Sequence, residues 1–336
     1  MNITYFQRSP KVGISIHKVF TPIINAIAKE EEVISYDVPS PRSTPLGILK
    51  NLWFVYKHRS KTGINHITGD IHYCILALVG CKTVLTVHDD SAISRPRKDT
   101  LSIHIYLKFK ELLWFKLPIK YATKIICISQ HTKNSLKKWD NTDKMQVIYD
   151  QIDTEFKYSP KDFNAQKPTI LHVGTEPHKN LETVIQSLTG LNCILRILKP
   201  MSDKQKRLAE SNNINYHNPV DISNEELIQE YRNADIISFP SSFEGFGLPI
   251  IEGQATGRVV ITSNMAPMNE IAGLGAFLVK NPKDPEEVRK AIVDLIKDQS
   301  LRDNLIENGL KNSSKFSLDT AVKNYKSIYQ KIAISK

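Results

Sequence analysis

Short apolar runs alternate with amphipathic stretches along most of this chain. In the first half, Asn2–Phe6, Glu32–Asp37, Ile64–Thr68, Thr83–His88, Lys124–Ile128 and Met145–Ile148 read as strands, short and rich in β-branched residues. Helical patterns separate them, including Leu101–Leu117 and a segment opening at Ser129, whose hydroxyl suits an N-cap. The rhythm restarts at Thr169–Val173 and continues through Cys193–Leu198, Ile214–Tyr216, Asp235–Phe239 and Arg258–Thr262. From Asp284 the pattern is helical to the end. Such a βαβα succession predicts an α/β protein, with parallel sheets covered by helices on both faces. The stretch Tyr158–Pro168 is polar, carries prolines and lacks periodicity, so it reads as a linker. The expected division is residues 1–160, residues 168–318 and a closing helix over 319–336.

Composition narrows the class. With 336 residues, 41% of them hydrophobic and 24% charged, the chain has material for two ordinary globular cores. No apolar run approaches the roughly 20 residues that cross a bilayer, and MNITYFQRSP lacks the apolar centre of a signal peptide. Cys74, Cys81, Cys127 and Cys193 form no CxxC pair, which predicts reduced thiols in a cytoplasmic protein and neither a metal site nor a disulfide framework. Charge is uneven: residues 1–162 hold 24 Lys and Arg against 15 Asp and Glu, and the remainder 21 against 20. A basic first half suits anionic lipid, an anionic acceptor, or a solvated surface with no dedicated partner. Nucleic acid is disfavoured, because no nucleic-acid-binding signature accompanies the charge. Lys108–Lys124 interleaves basic and aromatic residues and has two readings: a peripheral membrane contact, or a buried helix with its lysines in water.

The candidate chemistry centres on Ser238–Asn264, where Glu244 and Glu252 flank a Gly-Phe-Gly-Leu-Pro turn. A strand leads into the turn, Pro249 suits the first turn of a helix, Gly257 suits its stop, and another strand follows. The loop and helix start therefore fall at the carboxyl edge of a sheet, where open α/β sheets bind ligands and free N–H groups favour an anion. Gly245 and Gly247 would let backbone approach a ligand closely. The plainer alternative is an acidic helix start with a second, solvated glutamate. This pattern resembles the signature of retaining glycosyltransferases of family 4, which have the GT-B fold: two Rossmann-like domains facing across a cleft, with a C-terminal helix returning to the first.

The resemblance extends over nearly the whole chain and is strongest from Leu171 to Glu270. In LHVGTEPHKNLETVIQSL, from Leu171 to Leu188, Lys179 matches the family's phosphate-binding lysine, while Thr175 stands where relatives carry arginine. Lys199 falls in a loop where many relatives have glycines, and Val220 and Asp221 would border the nucleotide base. The resemblance implies transfer of a hexosyl unit from a nucleoside diphosphate sugar to a glycan or lipid-linked acceptor, with retention, no metal and no cofactor. Glu244 would act on the sugar ring and Glu252 would hold the ribose. Lys179 and the backbone around Gly245, Phe246, Gly247 and Leu248 would meet the diphosphate. His88, at a strand end, would position the sugar, with Asp89 as its orienting partner. Arg8, Gly13 and Ser15 after the first strand, and His66, Thr68, Asp70 and His72 after the third, are acceptor-side candidates. Each of these also reads as a loop-stabilising polar group. Surface polysaccharide assembly at the inner face of the membrane is the implied setting. Two alternatives stay open: a sugar-nucleotide epimerase, and a noncatalytic sugar-nucleotide or glycan-binding protein.

Overall fold

The computed structural model describes residues 1–12, 14–90, 100–140 and 143–334. Contacts divide the chain into two units, the first ending at Gln151 and the second running from Ile152 to Ser317. The first unit runs β1 (Asn2–Gln7), α1 (Ile14–Ile27), β2 (Glu32–Asp37), α2 (Pro45–His58), β3 (Ile64–Ile67), a 3₁₀ helix (His72–Leu78) and β4 (Lys82–Val87). It continues with α3 (Leu101–Glu111), a π-helical turn (Leu112–Lys116), α4 (Leu117–Tyr121), β5 (Lys124–Cys127), α5 (Gln130–Leu136) and β6 (Met145–Val147). The six strands are parallel in the order β2-β1-β3-β4-β5-β6.

The second unit opens with β7 (Thr169–Val173), a 3₁₀ turn (Pro177–Lys179), α6 (Leu181–Ser187), β8 (Ile194–Leu198), α7 (Asp203–Ser211) and β9 (Tyr216–His217). Then come α8 (Asn224–Asn233), β10 (Ile236–Phe239), α9 (Leu248–Ala255), β11 (Val259–Ser263), α10 (Met268–Ala272), β12 (Phe277–Val279), α11 (Pro285–Lys297) and α12 (Gln299–Ser313). Its order is β12-β11-β10-β7-β8-β9. The last helix, α13 (Leu318–Ile334), belongs to the first unit.

Strands such as β7 and β10 are apolar because helices cover both faces of a parallel sheet, and Ile170, Leu171, Ile236 and Ile237 are fully buried. In each sheet the chain reverses its direction of strand addition once, between β1 and β3 in the first and between β7 and β10 in the second. The loops leaving these strand pairs diverge to opposite faces and leave a crevice at the carboxyl edge. Lys179 and Glu244 lie on the second pair of loops and Arg8 and Asp70 on the first, with His88 following the neighbouring strand β4.

The structure revises several readings. The helix expected over Leu101–Leu117 runs on past Pro118. Proline has no N–H to give the preceding turn and its ring crowds the carbonyl there, and the chain widens so that Leu117 N–H bonds Leu112 O before α4 begins. The strand expected at Ile214–Tyr216 starts at Tyr216, because Ile214 N–H is taken by Ala209 O at the end of α7 (2.9 Å). Three-residue β12 was not anticipated. Tyr158–Pro168 is pinned to the second unit: Ser159 O accepts from Arg258 Nη2 (2.8 Å), and Lys161 pairs with Asp235. Residues 152–160 also belong to that unit.

His66 leaves the list of pocket candidates. Its ring is fully buried, with Nδ1 at 2.6 Å from the Tyr329 hydroxyl and Nε2 at 2.8 Å from Thr86 Oγ1. Burial, with the charge of His88 adding, pushes its pKa down to about 3, so it is neutral. Tyr329 also meets the Tyr5 hydroxyl at 2.9 Å, so this cluster fastens α13 to the sheet. Thr68 is likewise buried, its hydroxyl donating to Phe6 O. Tyr329→Phe keeps the ring but strands buried partners, and should cost about 1–3 kcal/mol in urea unfolding. The exposed Tyr56→Phe should stay within about 0.5 kcal/mol. Equal effects would show that the hydroxyl cluster does not hold α13.

Candidate active site

In the second unit the loops after β7 and β10 are cross-linked. Asn180 adopts a left-handed conformation (φ 57°), which turns the chain sharply between the 3₁₀ turn and α6. Its Nδ2 donates to Pro240 O and Ser242 Oγ, both at 2.7 Å, and Ser242 N–H bonds His178 O at 2.7 Å. This places Lys179 Nζ 2.6 Å from Glu244 Oε1, with the two side chains 15% and 13% exposed. The ammonium also lies 4.5 Å from the centre of the Phe239 ring. Below it His172 is fully buried, and burial, reinforced by the charge of Lys179, drives its pKa down to about 3. A neutral histidine therefore floors a charged pair. Gly174 (φ 101°) permits the approach: a Cβ there would meet both Glu176 and Lys179 at 3.0 Å.

Beyond Glu244, Gly247 caps α9 with φ 109°, a conformation open to glycine. Phe246 is buried edge-to-face against Phe316, at 5.8 Å between centroids, which anchors the turn. No side chain caps the N-terminus of α9; Pro249 has no N–H and Ile250 N–H bonds Gly247 O at 3.0 Å, so Leu248 carries the first helical N–H. Glu252, one turn further, accepts a short hydrogen bond from the buried Tyr231 hydroxyl. Tyr231 is itself set by Arg258, whose Nε donates to Tyr231 O and Nη2 to Arg232 O at the C-terminus of α8. Thr175 spends its hydroxyl on Pro200 O (2.7 Å). Lys199 holds a left-handed conformation (φ 84°), strained for a residue with a Cβ. Asn218 fixes that loop through Ile197 O and Lys199 O. Val220, two residues further, is exposed.

The first unit has a cavity of about 290 Å³ at its own carboxyl edge, lined by Arg8, Ser15, Asp70, His72, His88 and Asp89. Arg8 pairs with Asp70 at 2.8 Å. His72 is buried, its Nδ1 held by Trp114 O at 2.9 Å and its Nε2 without a hydrogen-bond partner among the described residues. Burial lowers its pKa, against the opposing pull of Asp70 and the Trp114 carbonyl. His88 goes the other way. Burial alone would lower it, but the Asp150 carboxylate 3.8 Å from Nδ1, the Thr68 carbonyl 2.9 Å from Nε2 and the charge of Asp89 together raise its pKa. One pocket thus holds a neutral and a readily charged imidazole. Both nitrogens of His88 face protein acceptors, Thr68 O and the Asp150 carboxylate, which favours its protonated form.

Two family models match in tandem: residues 17–156 fit Glycosyltransferase Family 4 and residues 153–312 fit Glycosyl transferases group 1. The chain belongs to the family 4 glycosyltransferases. The O-antigen chain mannosyltransferase of Salmonella typhimurium is 26% identical over 291 residues, 80% of this chain and 76% of its own length. A glycosyltransferase from Rickettsia africae matches over 100% of both chains with a TM-score of 0.76 at 19% identity. The Anabaena protein HepE in complex with UDP-glucose gives 0.73 at 15%, over 98% of this chain and 100% of its own. With two parallel six-stranded sheets, these likenesses identify the GT-B fold.

In this glycosyltransferase the structure brings together Lys179, Glu244 and the Gly245–Leu248 turn, and separately Ser15, Asp70, His72 and His88. Gly13 lies outside the described residues. Thr175 ties the Lys179 loop to the Lys199 loop through Pro200 O, while Val220 stands exposed beyond β9. Asp89 lines the cavity but is not the ion-pair partner of His88: that is Asp150, delivered from the loop after β6, some sixty residues along the chain. Sequence reading missed Asp150, Asn180 and Tyr231. A buried aspartate directly after a strand, and an asparagine in the lysine's turn, were the available signals; nothing local marks Tyr231.

Because the His88 pKa is raised on folding, its charged form adds stability that is complete below its unfolded value of about 6.5 and is lost as pH rises through the raised value. In Asp150→Asn, burial should prevail and the midpoint of the His88 ring-proton NMR titration should fall below the ordinary histidine value. An unmoved midpoint would remove Asp150 from this role.

Proposed function

We propose that this glycosyltransferase moves a hexosyl unit from a nucleoside diphosphate sugar to a hydroxyl of a glycan or lipid-linked acceptor, with retention and without a metal ion, in surface polysaccharide assembly. Mannose is the favoured hexose, on the likeness to the O-antigen chain mannosyltransferase. The observation that carries the reading is the Lys179–Glu244 pair beside the uncapped start of α9.

In the reaction the bond between the anomeric carbon and the leaving phosphate oxygen breaks, and its electron pair goes to the diphosphate. A bond from the acceptor oxygen to the same carbon forms on the same face. The acceptor proton passes to the departing phosphate. Negative charge grows on the diphosphate, where Lys179 and the positive end of the α9 dipole oppose it. Positive charge grows on the sugar ring, where the Glu244 carboxylate stabilises it. The ammonium is already held on Glu244, the residue that opens the glycine turn, so the donor need not recruit it. Tyr231 fixes Oε2 of Glu252, the carboxylate that would hold a ribose hydroxyl. The cavity of the first unit, with Arg8, Asp70 and His88, takes the acceptor. The cation is supplied by a side chain, which is the basis for proposing independence from metal.

A panel of UDP-, GDP-, ADP- and dTDP-sugars, read first by thermal stabilisation and then by turnover, tests this. Glu244→Gln should reduce kcat by roughly 100-fold or more, and Glu252→Ala should chiefly raise the KM for the donor. Unchanged kcat in a folded Glu244→Gln protein would sink the role of the carboxylate. Donor binding without transfer or hydrolysis would favour a noncatalytic binding protein.

A further inference from the structure

Among the described residues, the first unit carries two helical faces whose large apolar side chains are exposed. On α2, Leu46, Leu49, Trp53 and Tyr56 recur at spacings of three, four and three residues, a single helical stripe, and are 51–67% exposed. The opposite face is the one that packs: Ile48 and Val55 join the core, and buried Asn51 donates to the Tyr73 hydroxyl at 2.8 Å. On α3 and the π-helical turn, Ile105, Tyr106, Phe109 and Leu112 are 43–62% exposed. Here too the inner face is conventional, with Trp114, Phe115 and Ile119 buried. Isolated exposed apolar residues are ordinary; two aromatic-aliphatic stripes on one unit are not.

The stripes lie on the same layer. α2, the π turn and α4 pack around the 3₁₀ helix His72–Leu78, where Tyr73 accepts from Asn51 of α2 and lies tilted at 4.8 Å from the Trp114 ring of the π turn. On α3 and the π turn Lys108, Lys110 and Lys116 outnumber Glu111, which pairs with Lys116 at 3.2 Å, and around α2 the charges are of one sign. From Val38 to Gly69 there is no Asp or Glu, while Arg42, Lys50, Lys57, Arg59 and Lys61 occur. The Arg59 guanidinium covers the Tyr56 ring at 3.6 Å, and Lys110 approaches Tyr106 at 5.6 Å and Trp114 at 4.7 Å. Aromatic rings with cations at their edges, on helices too short and too polar to cross a bilayer, fit the headgroup zone of a membrane.

We infer that the α2 and α3 stripes together dock this unit onto an anionic lipid bilayer, with the apolar side chains in the headgroup–acyl boundary and the lysines and arginines on acidic headgroups. Charge selects this occupant over a second copy of the chain, since two copies joined by this face would oppose like charges. The surface is also bolted to the cavity. Trp114 Nε1 donates to Asp70 O at 3.2 Å, and Trp114 O accepts from His72 Nδ1, so the π turn that shapes the docking face also sets two walls of the pocket. A π-helical turn at such a junction is a common mark of function. Resting on the acceptor reading above, this linkage would hold the pocket close to the headgroups, where a lipid-linked hydroxyl would be offered.

The test uses the full chain and vesicles of phosphatidylcholine, with or without phosphatidylglycerol, in co-sedimentation. Wild type should bind the anionic vesicles, bind the neutral ones at least about tenfold more weakly, and be released by high salt. The double variant Leu49→Ser/Trp53→Ser, altered only at exposed positions, should lose roughly tenfold or more of the anionic binding. Its circular dichroism and its thermal stabilisation by donor should stay at wild-type values. Absence of binding to anionic vesicles, or full binding by the double variant, overturns the inference. So does a wild-type dimer that the double variant abolishes, because a second copy would then cover the face. None of these readings depends on sugar transfer, so failure here leaves the proposed activity standing, and loss of activity leaves the docking result standing.

Discussion

The ion pair between Lys179 and Glu244 is the contact around which the edge of the second sheet is organised. It exists because β7 and β10 are neighbours at the point where strand order reverses, and because Asn180 turns left-handed and ties one loop to the other. Partly buried pairs of this kind add little net stability, since desolvation offsets most of the attraction. Their value lies in holding charge ready in a defined place. Removing either partner would leave the other beside a neutral, buried His172 and the face of Phe239, an environment that does not solvate it. In the proposed reaction, a diphosphate arriving at the start of α9 would meet an ammonium already oriented, with no reorganisation required at the moment charge develops.

The first unit solves a related problem with different chemistry. Its strand reversal between β1 and β3 opens a cavity where His72 is held neutral and His88 is held readily protonated, although both are buried. The difference comes chiefly from Asp150, carried in by the loop after β6, with the Thr68 carbonyl and Asp89 adding to it. Behind that cavity, Trp114 joins the pocket to a helical layer whose outer face is apolar and basic. The excess of basic residues in the first half of the chain thereby acquires a location as well as a sign.

Much of the architecture was legible because parallel strands buried on both faces write themselves as apolar runs: Glu32–Asp37 and Thr169–Val173 match their observed bounds. Glu244, Lys179 and the glycine turn were legible for a similar reason, since each is local and adjoins a strand end. What escaped was set by distance or by compensation. Asp150 reaches His88 only through strand order, and the Tyr231–Glu252 bond depends on how α8 lies beside α9. His66 looked like a pocket residue by position, but β3 turns its ring inward to Tyr329, a partner 263 residues away. The run past Pro118 failed as a simple helix reading because a π turn can absorb the proline's missing N–H, which no periodicity announces.

Hydrogen–deuterium exchange of the full chain, with and without a nucleotide sugar that stabilises it, tests the central assignment without requiring turnover. The geometry predicts slowed exchange in residues 174–180 and 240–248, the two loops that carry Lys179 and Glu244. Binding accompanied by unchanged exchange in both loops, with protection elsewhere, would contradict it.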